Sequence, residues 1–136
     1  MVSAGVNYLA VLIAGVAYFI MGAIWYQHWL FGNLWLKGVG KTKEQADADF
    51  KASKLVWVLI VSLITAYGIA RIISYTGATT LYDAIMLSAL AAICLVITNV
   101  SLNNTMEARP CKLTLVNGLF NLVGFVIMGA IIGYWR

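Results

Sequence analysis

Four stretches of the chain are apolar almost without a break, and the segments between them are polar and mostly short. A bilayer core about 30 Å thick takes about 20 such residues as a helix. The stretches cover about 8–26, 55–73, 84–102 and 113–134. No Asp, Glu, Lys or Arg precedes Lys37, and the second stretch holds one cation, Arg71, near its far end. None shows sustained alternation of apolar and polar positions, so the pattern predicts helices rather than strands. The first has no Lys or Arg ahead of it and is longer than the apolar core of a signal peptide, so it is expected to stay as a helix.

Between the first two stretches, Gln27 to Lys54 is the one long polar segment, with Gly38 and Gly40 interrupting its start. Thr42 and Gln45 have the spacing of a capping box, and Glu44 suits a helix N-terminus. A helix is expected from near Thr42, and it can run unbroken into the second span. The turn from Ser74 to Asp83 is short, with Gly77 suited to a helix C-terminus. Pro110 prevents a continuous helix through the turn from Asn103 to Lys112. No linker marks a second domain. The expectation is an all-α, four-transmembrane-helix bundle over 1–136, with a short cytoplasmic helical extension before the second span.

Composition agrees: 62% of residues are hydrophobic and 10% charged, against roughly 25% charged in a soluble domain. A disordered chain, a disulfide-stapled secreted domain and an ordinary soluble globule are excluded. Charge then sets orientation. Lys37, Lys41, Lys43, Lys51, Lys54, Arg109 and Lys112 lie on one side, Arg71 and Arg136 on the other. The positive-inside rule puts the basic connections in the cytoplasm and both termini outside, in a cell inner membrane. Trp25, Tyr26, Trp29, Trp35 and Trp57 fall at the basic side, and Tyr8, Tyr75, Tyr82, Tyr134 and Trp135 at the other. The net charge of +4 sits where topology and anionic lipid already require it, so no nucleic-acid partner is expected.

Polar side chains inside the spans carry the candidate chemistry. Asn99 and Asn103 are four apart on the third span, and Asn117 and Asn121 four apart on the fourth, so each pair shares a helix face. A hairpin turning near Ala108 brings the two pairs to similar depth. Unpaired amides are costly in hydrocarbon, so all four are expected to face the bundle interior in its cytoplasmic half. Interhelical hydrogen bonds need the least; a polar pocket open to the cytoplasm stays as the alternative. Arg71 and Asp83 flank one turn and could form an interface ion pair. His28 is a lone titrating residue at the cytoplasmic end of the first span, with no second His to share a metal. Cys94 and Cys111 are expected as free thiols. No metal or cofactor motif is present.

Small residues recur every four positions: Ser62, Ala66 and Ala70; Ala84, Ser88 and Ala92; Gly129 and Gly133. They permit close helix approach, either inside the bundle or in a homo-oligomer.

Asn7-Tyr8-Leu9-Ala10, Gly22-Ala23-Ile24-Trp25-Tyr26, Leu30-Phe31-Gly32 and Trp35 resemble the bacterial membrane family known as domain of unknown function seventeen sixty-one. Asn117-Gly118, Met128-Gly129 and Gly133-Tyr134-Trp135 are similar too. The resemblance covers essentially the whole chain and implies four spans in an inner membrane. It brings no activity or catalytic residue.

Function is therefore weighed on chemistry. A structural or interaction bundle, alone with lipid or joined to itself or another membrane protein, fits best. A transporter or channel for a small neutral or weakly polar solute along the Asn face is the alternative. Glu44, Asp47, Asp49, Asp83 and Glu107 all fall at or outside the membrane boundaries, so no embedded carboxylate drives exchange. An enzyme is not expected, because no nucleophile elbow, HExxH or paired-Cys motif is present.

Overall fold

A computed structural model describes residues 6–27, 30–49, 52–77 and 80–135. Six helices follow one another in it, and no strand occurs among the described residues. Four are long and apolar enough to cross a membrane: α1 (Tyr8–Trp25), α4 (Ala52–Thr76), α5 (Leu81–Met106) and α6 (Cys111–Tyr134). The protein is a multi-pass membrane protein. Two short helices, α2 (Gly32–Val39) and α3 (Lys43–Asp49), lie between the first two spans.

Local chemistry sets the helix ends. Asn7 accepts from the backbone N–H groups of Leu9 and Ala10 at 3.1 and 3.3 Å, satisfying two orphan donors of α1. Its Nδ2 donates to the Trp135 carbonyl at 2.6 Å, so the two ends of the chain meet at one end of the bundle. The capping box forms as expected: Thr42 N–H donates to Gln45 Oε1 at 3.0 Å, and Gln45 N–H to Thr42 Oγ1 at 3.2 Å. Phe50 and Lys51, where α3 would join α4, lie outside the described residues. Gly77 takes the left-handed conformation expected of it, with φ 72°. Pro110 is the N-cap of α6. The hairpin turns at Ala108, which adopts φ 57° without being glycine while Arg109 N–H donates to the Asn104 carbonyl at 2.8 Å.

α6 runs through the middle of the bundle. It packs on α1 and α5 along its length and also meets α4 and α2, while α4 and α5 barely touch. Ala10, Ala14, Tyr18, Ala66, Ala70 and Met128 belong to the buried core. The small-residue stripes of α5 and α6 pack inside the bundle. A Cβ built on Gly129 would lie 2.7 Å from Ser88 Cβ and 3.0 Å from the Ala84 carbonyl oxygen, and one on Gly133 would lie 2.5 Å from Ala84 Cβ. Such contact gains dispersion energy where lipid gives no hydrophobic drive between helices.

α2 was not legible as a helix in the polar connection. Leu36 is buried, and a Cβ on Gly38 would lie 3.0 Å from Leu113 Cβ, so α2 folds back onto the start of α6. Gly40, at φ 74°, ends it: the N–H groups of Gly40 and Lys41 both reach the Leu36 carbonyl, at 2.9 and 3.1 Å.

Candidate functional site

α1 and α6 cross antiparallel, and their contact is a ladder of aromatic and amide groups. Tyr18 and Tyr26 are eight residues apart and so lie on one face of the chain leaving α1. The Tyr18 hydroxyl donates to Asn121 Oδ1 at 2.8 Å. The Tyr26 hydroxyl donates to Asn117 Oδ1 at 2.6 Å. Between them, Trp25 Nε1 donates to the Val116 carbonyl at 3.2 Å, and Asn121 Nδ2 donates to the Asn117 carbonyl at 2.8 Å. Phe120 sits among the three rings, stacked on Tyr18 at 5.0 Å between centroids and edge-on to Tyr26 at 5.4 Å. Gly124 makes room for this, since a Cβ there would lie 2.5 Å from Tyr18 Cδ1. At the basic end the cluster continues through Trp25 to Phe31 and through Tyr26 to Trp35, which holds α2 against the bundle.

The other two expected pocket residues are elsewhere. Asn99 and Asn103 lie on the exposed face of α5, and Asn99 Nδ2 turns back to the Leu95 carbonyl of its own helix. The four-amide interior pocket is therefore not formed. The cause is a π-helical stretch, Ala92–Ile97, within α5. At about 100° per residue, Asn99 and Asn103 would continue the buried stripe of Ala84, Ser88 and Ala92. Hydrogen bonds that skip one more residue hold more residues per turn, and six of them lag the phase by about 100°. Asn104 turns inward instead: it is buried, and its Nδ2 donates to Thr114 Oγ1 at 2.9 Å.

Nor does the geometry favour the expected pair of Arg71 with Asp83. Arg71 Nε donates to the Tyr67 hydroxyl at 2.8 Å, and its guanidinium carbon stands 5.3 and 5.9 Å from the ring centroids of Tyr67 and Tyr75. Asp83 instead lines an open cleft of about 420 Å3 with Thr76, Gly77, Met86, Leu87 and Leu90. Tyr67, Arg71 and Tyr75 share the α1 side of α4, and the cleft lies on its α5 side. His28 lies outside the described residues. Cys94 and Cys111 are free and exposed.

Residues 9–133 match the family described as protein of unknown function (DUF1761). The chain belongs to that family. No curated protein and no solved structure matches it. For this DUF1761 chain the α1–α6 ladder brings two tyrosine hydroxyls, an indole N–H and two amides together between two spans. Its tyrosines and Phe120 were missed as site residues in the sequence. The signal was present in spacing, since Tyr18 in α1 and Tyr26 at its C-terminal cap pair with Asn121 and Asn117 of α6 in opposite chain order.

Proposed function

We propose that the protein is a non-catalytic interaction bundle of a bacterial inner membrane, with both termini outside, that associates with a second copy of itself through the outer face of α5. The observation that carries this is the state of α5. It is the least covered span, with 11% of its apolar window buried against 39% for α6, and it turns Asn99 and Asn103 outward. The seven-to-two distribution of cations supports one orientation for every copy. Two copies in one orientation are related by an axis along the membrane normal, which brings equivalent residues together at equal depth. Asn99 and Asn103 of one copy then meet the same amides of the other, and interhelical bonds of this kind contribute about 0.6 kcal/mol each on average.

The ladder between α1 and α6 supports a structural rather than chemical interior. Its hydroxyls and amides are bonded to one another, which fixes two helices in register. The same bonds weaken the case for a solute path along the asparagines, because two of the four amides are engaged by tyrosines and the other two lie on the exposed face of α5.

The test is oligomeric state in lipid nanodiscs by native mass spectrometry. The wild type is expected as a dimer, and Asn99→Leu with Asn103→Leu as a monomer of unchanged thermal stability. A monomeric wild type, or a double variant that stays dimeric, contradicts the proposal.

A further inference from the structure

We propose that Arg71, framed by Tyr8, Tyr67 and Tyr75, forms a binding site for the phosphodiester of a membrane phospholipid at the terminus-bearing end of the bundle. Depth comes first. Tyr8 is the first residue of α1, and its ring stacks on Tyr67 at 6.4 Å between centroids and 17° between planes. Tyr67 is thus level with the start of the first span, and Arg71 stands one helical turn further toward the end where Asn7 meets Trp135. Helix α4 has 25 residues, about 37 Å at 1.5 Å per residue, which exceeds a hydrocarbon core of about 30 Å. Its last turns therefore reach the level of the headgroups.

The guanidinium is also held in place. The bond through Nε and the two flanking rings restrict a side chain that would otherwise range widely. Arginine stacks on aromatic faces while its planar fork of N–H donors matches phosphate oxygens. The Tyr67 hydroxyl accepts from Nε and keeps its own hydrogen to donate. Tyr75, whose ring the guanidinium overlies, and Tyr8, stacked on Tyr67, are both largely exposed and carry two more hydroxyls on this face.

Below the cation the same face of α4 is aliphatic. Ile60 and Ile64 fall on the helix face of Tyr67 and Arg71 by spacing and are exposed. Cation and phenols at headgroup level, with a branched aliphatic track beneath, complement a phosphate joined to acyl chains rather than a free anion. Asp83, the acid of this end, lines the cleft on the other side of α4.

The experiment uses delipidated full-length protein in a neutral detergent, with native mass spectrometry for bound lipid and thermal unfolding for its effect. The probes are phosphatidylglycerol, a diacylglycerol with the same chains, and inorganic phosphate. Phosphatidylglycerol is expected to bind and raise the unfolding temperature, and the other two are not. Arg71→Gln is expected to weaken phosphatidylglycerol binding about tenfold, as loss of charge-assisted hydrogen bonds does, while Lys41→Gln on the basic face changes it less than twofold. If Arg71→Gln does not fold, Tyr67→Phe, which keeps the ring, is expected to weaken binding at least threefold. Equal binding by the wild type and the folded Arg71 or Tyr67 variant overturns the proposal. So does equal stabilisation by diacylglycerol, which would make the site one for chains alone. Equal stabilisation by inorganic phosphate would make it a free-anion site and overturn the lipid assignment.

Discussion

Replacing Gly129 tests the packing of α5 on α6 at its tightest point. A Cβ there would stand 2.7 Å from Ser88 Cβ and 3.0 Å from the Ala84 carbonyl oxygen. Carbon atoms at rest sit about 3.5–4.0 Å apart, so the helices must separate by about 1 Å. Ser88 cannot easily swing aside, because it is 2% exposed and its hydroxyl donates to the Ala84 carbonyl at 2.8 Å. A gap of that size forfeits a quarter to a half of each contact's attraction of about 0.1–0.2 kcal/mol. Over the tens of atom pairs along this seam the loss is about 1–3 kcal/mol, the usual range for overpacking. Gly129→Ala is expected to lose that much, and Gly129→Leu more, with part of the protein unfolded or aggregated. Gly68 is the internal control: nothing lies within 4 Å of a Cβ placed there, so Gly68→Ala gains helix propensity of up to about 1 kcal/mol without a clash. Leu122→Ile should also cost less than Gly129→Leu. The assay is thermal or denaturant unfolding in a mild detergent, followed by tryptophan fluorescence. A Gly129→Ala variant as stable as Gly68→Ala would refute the close contact.

Tyr26→Phe and Asn117→Ala are each expected to cost about 0.6–1.7 kcal/mol, and the double variant less than their sum, because both remove one hydrogen bond; additivity in the same unfolding assay would mean the bond contributes nothing. With Cys94 and Cys111 replaced, a cysteine at Ala48 in α3 is expected to resist a membrane-impermeant thiol reagent in intact cells and to react once the membrane is opened; labelling in intact cells would reverse the topology.

The spans were legible because length and continuous apolarity are local properties, and the helix ends in the structure lie within four residues of the boundaries read from the sequence. The capping box, the Gly77 terminus and the Pro110 stop were legible for the same reason. Asn117 and Asn121 were expected inside on the cost of an amide in lipid, and each accepts from a tyrosine hydroxyl at the α1–α6 contact. Their partners were not found, because Tyr18 and Asn121 are 103 residues apart in the chain and meet only through the register of α1 on α6. Asn99 and Asn103 were placed inside by regular α-helical phase, and the π-helical stretch broke that phase without a glycine or proline to announce it. α2 escaped notice because its apolar run, Leu34, Trp35 and Leu36, is short and is followed at once by Lys37, Gly38, Gly40 and Lys41.

The most direct test of self-association through α5 is disulfide cross-linking in native membranes. The background carries Cys94→Ser and Cys111→Ser, with a single cysteine introduced by Asn99→Cys or, as the control, by Ile64→Cys on the exposed face of α4. A disulfide needs Cα atoms about 4.4–6.8 Å apart, a separation reached only where the two helices pack directly. Mild oxidation is expected to convert the Asn99→Cys variant to a covalent dimer and to leave the Ile64→Cys variant monomeric. Equal cross-linking of both, or none at position 99, would contradict the account.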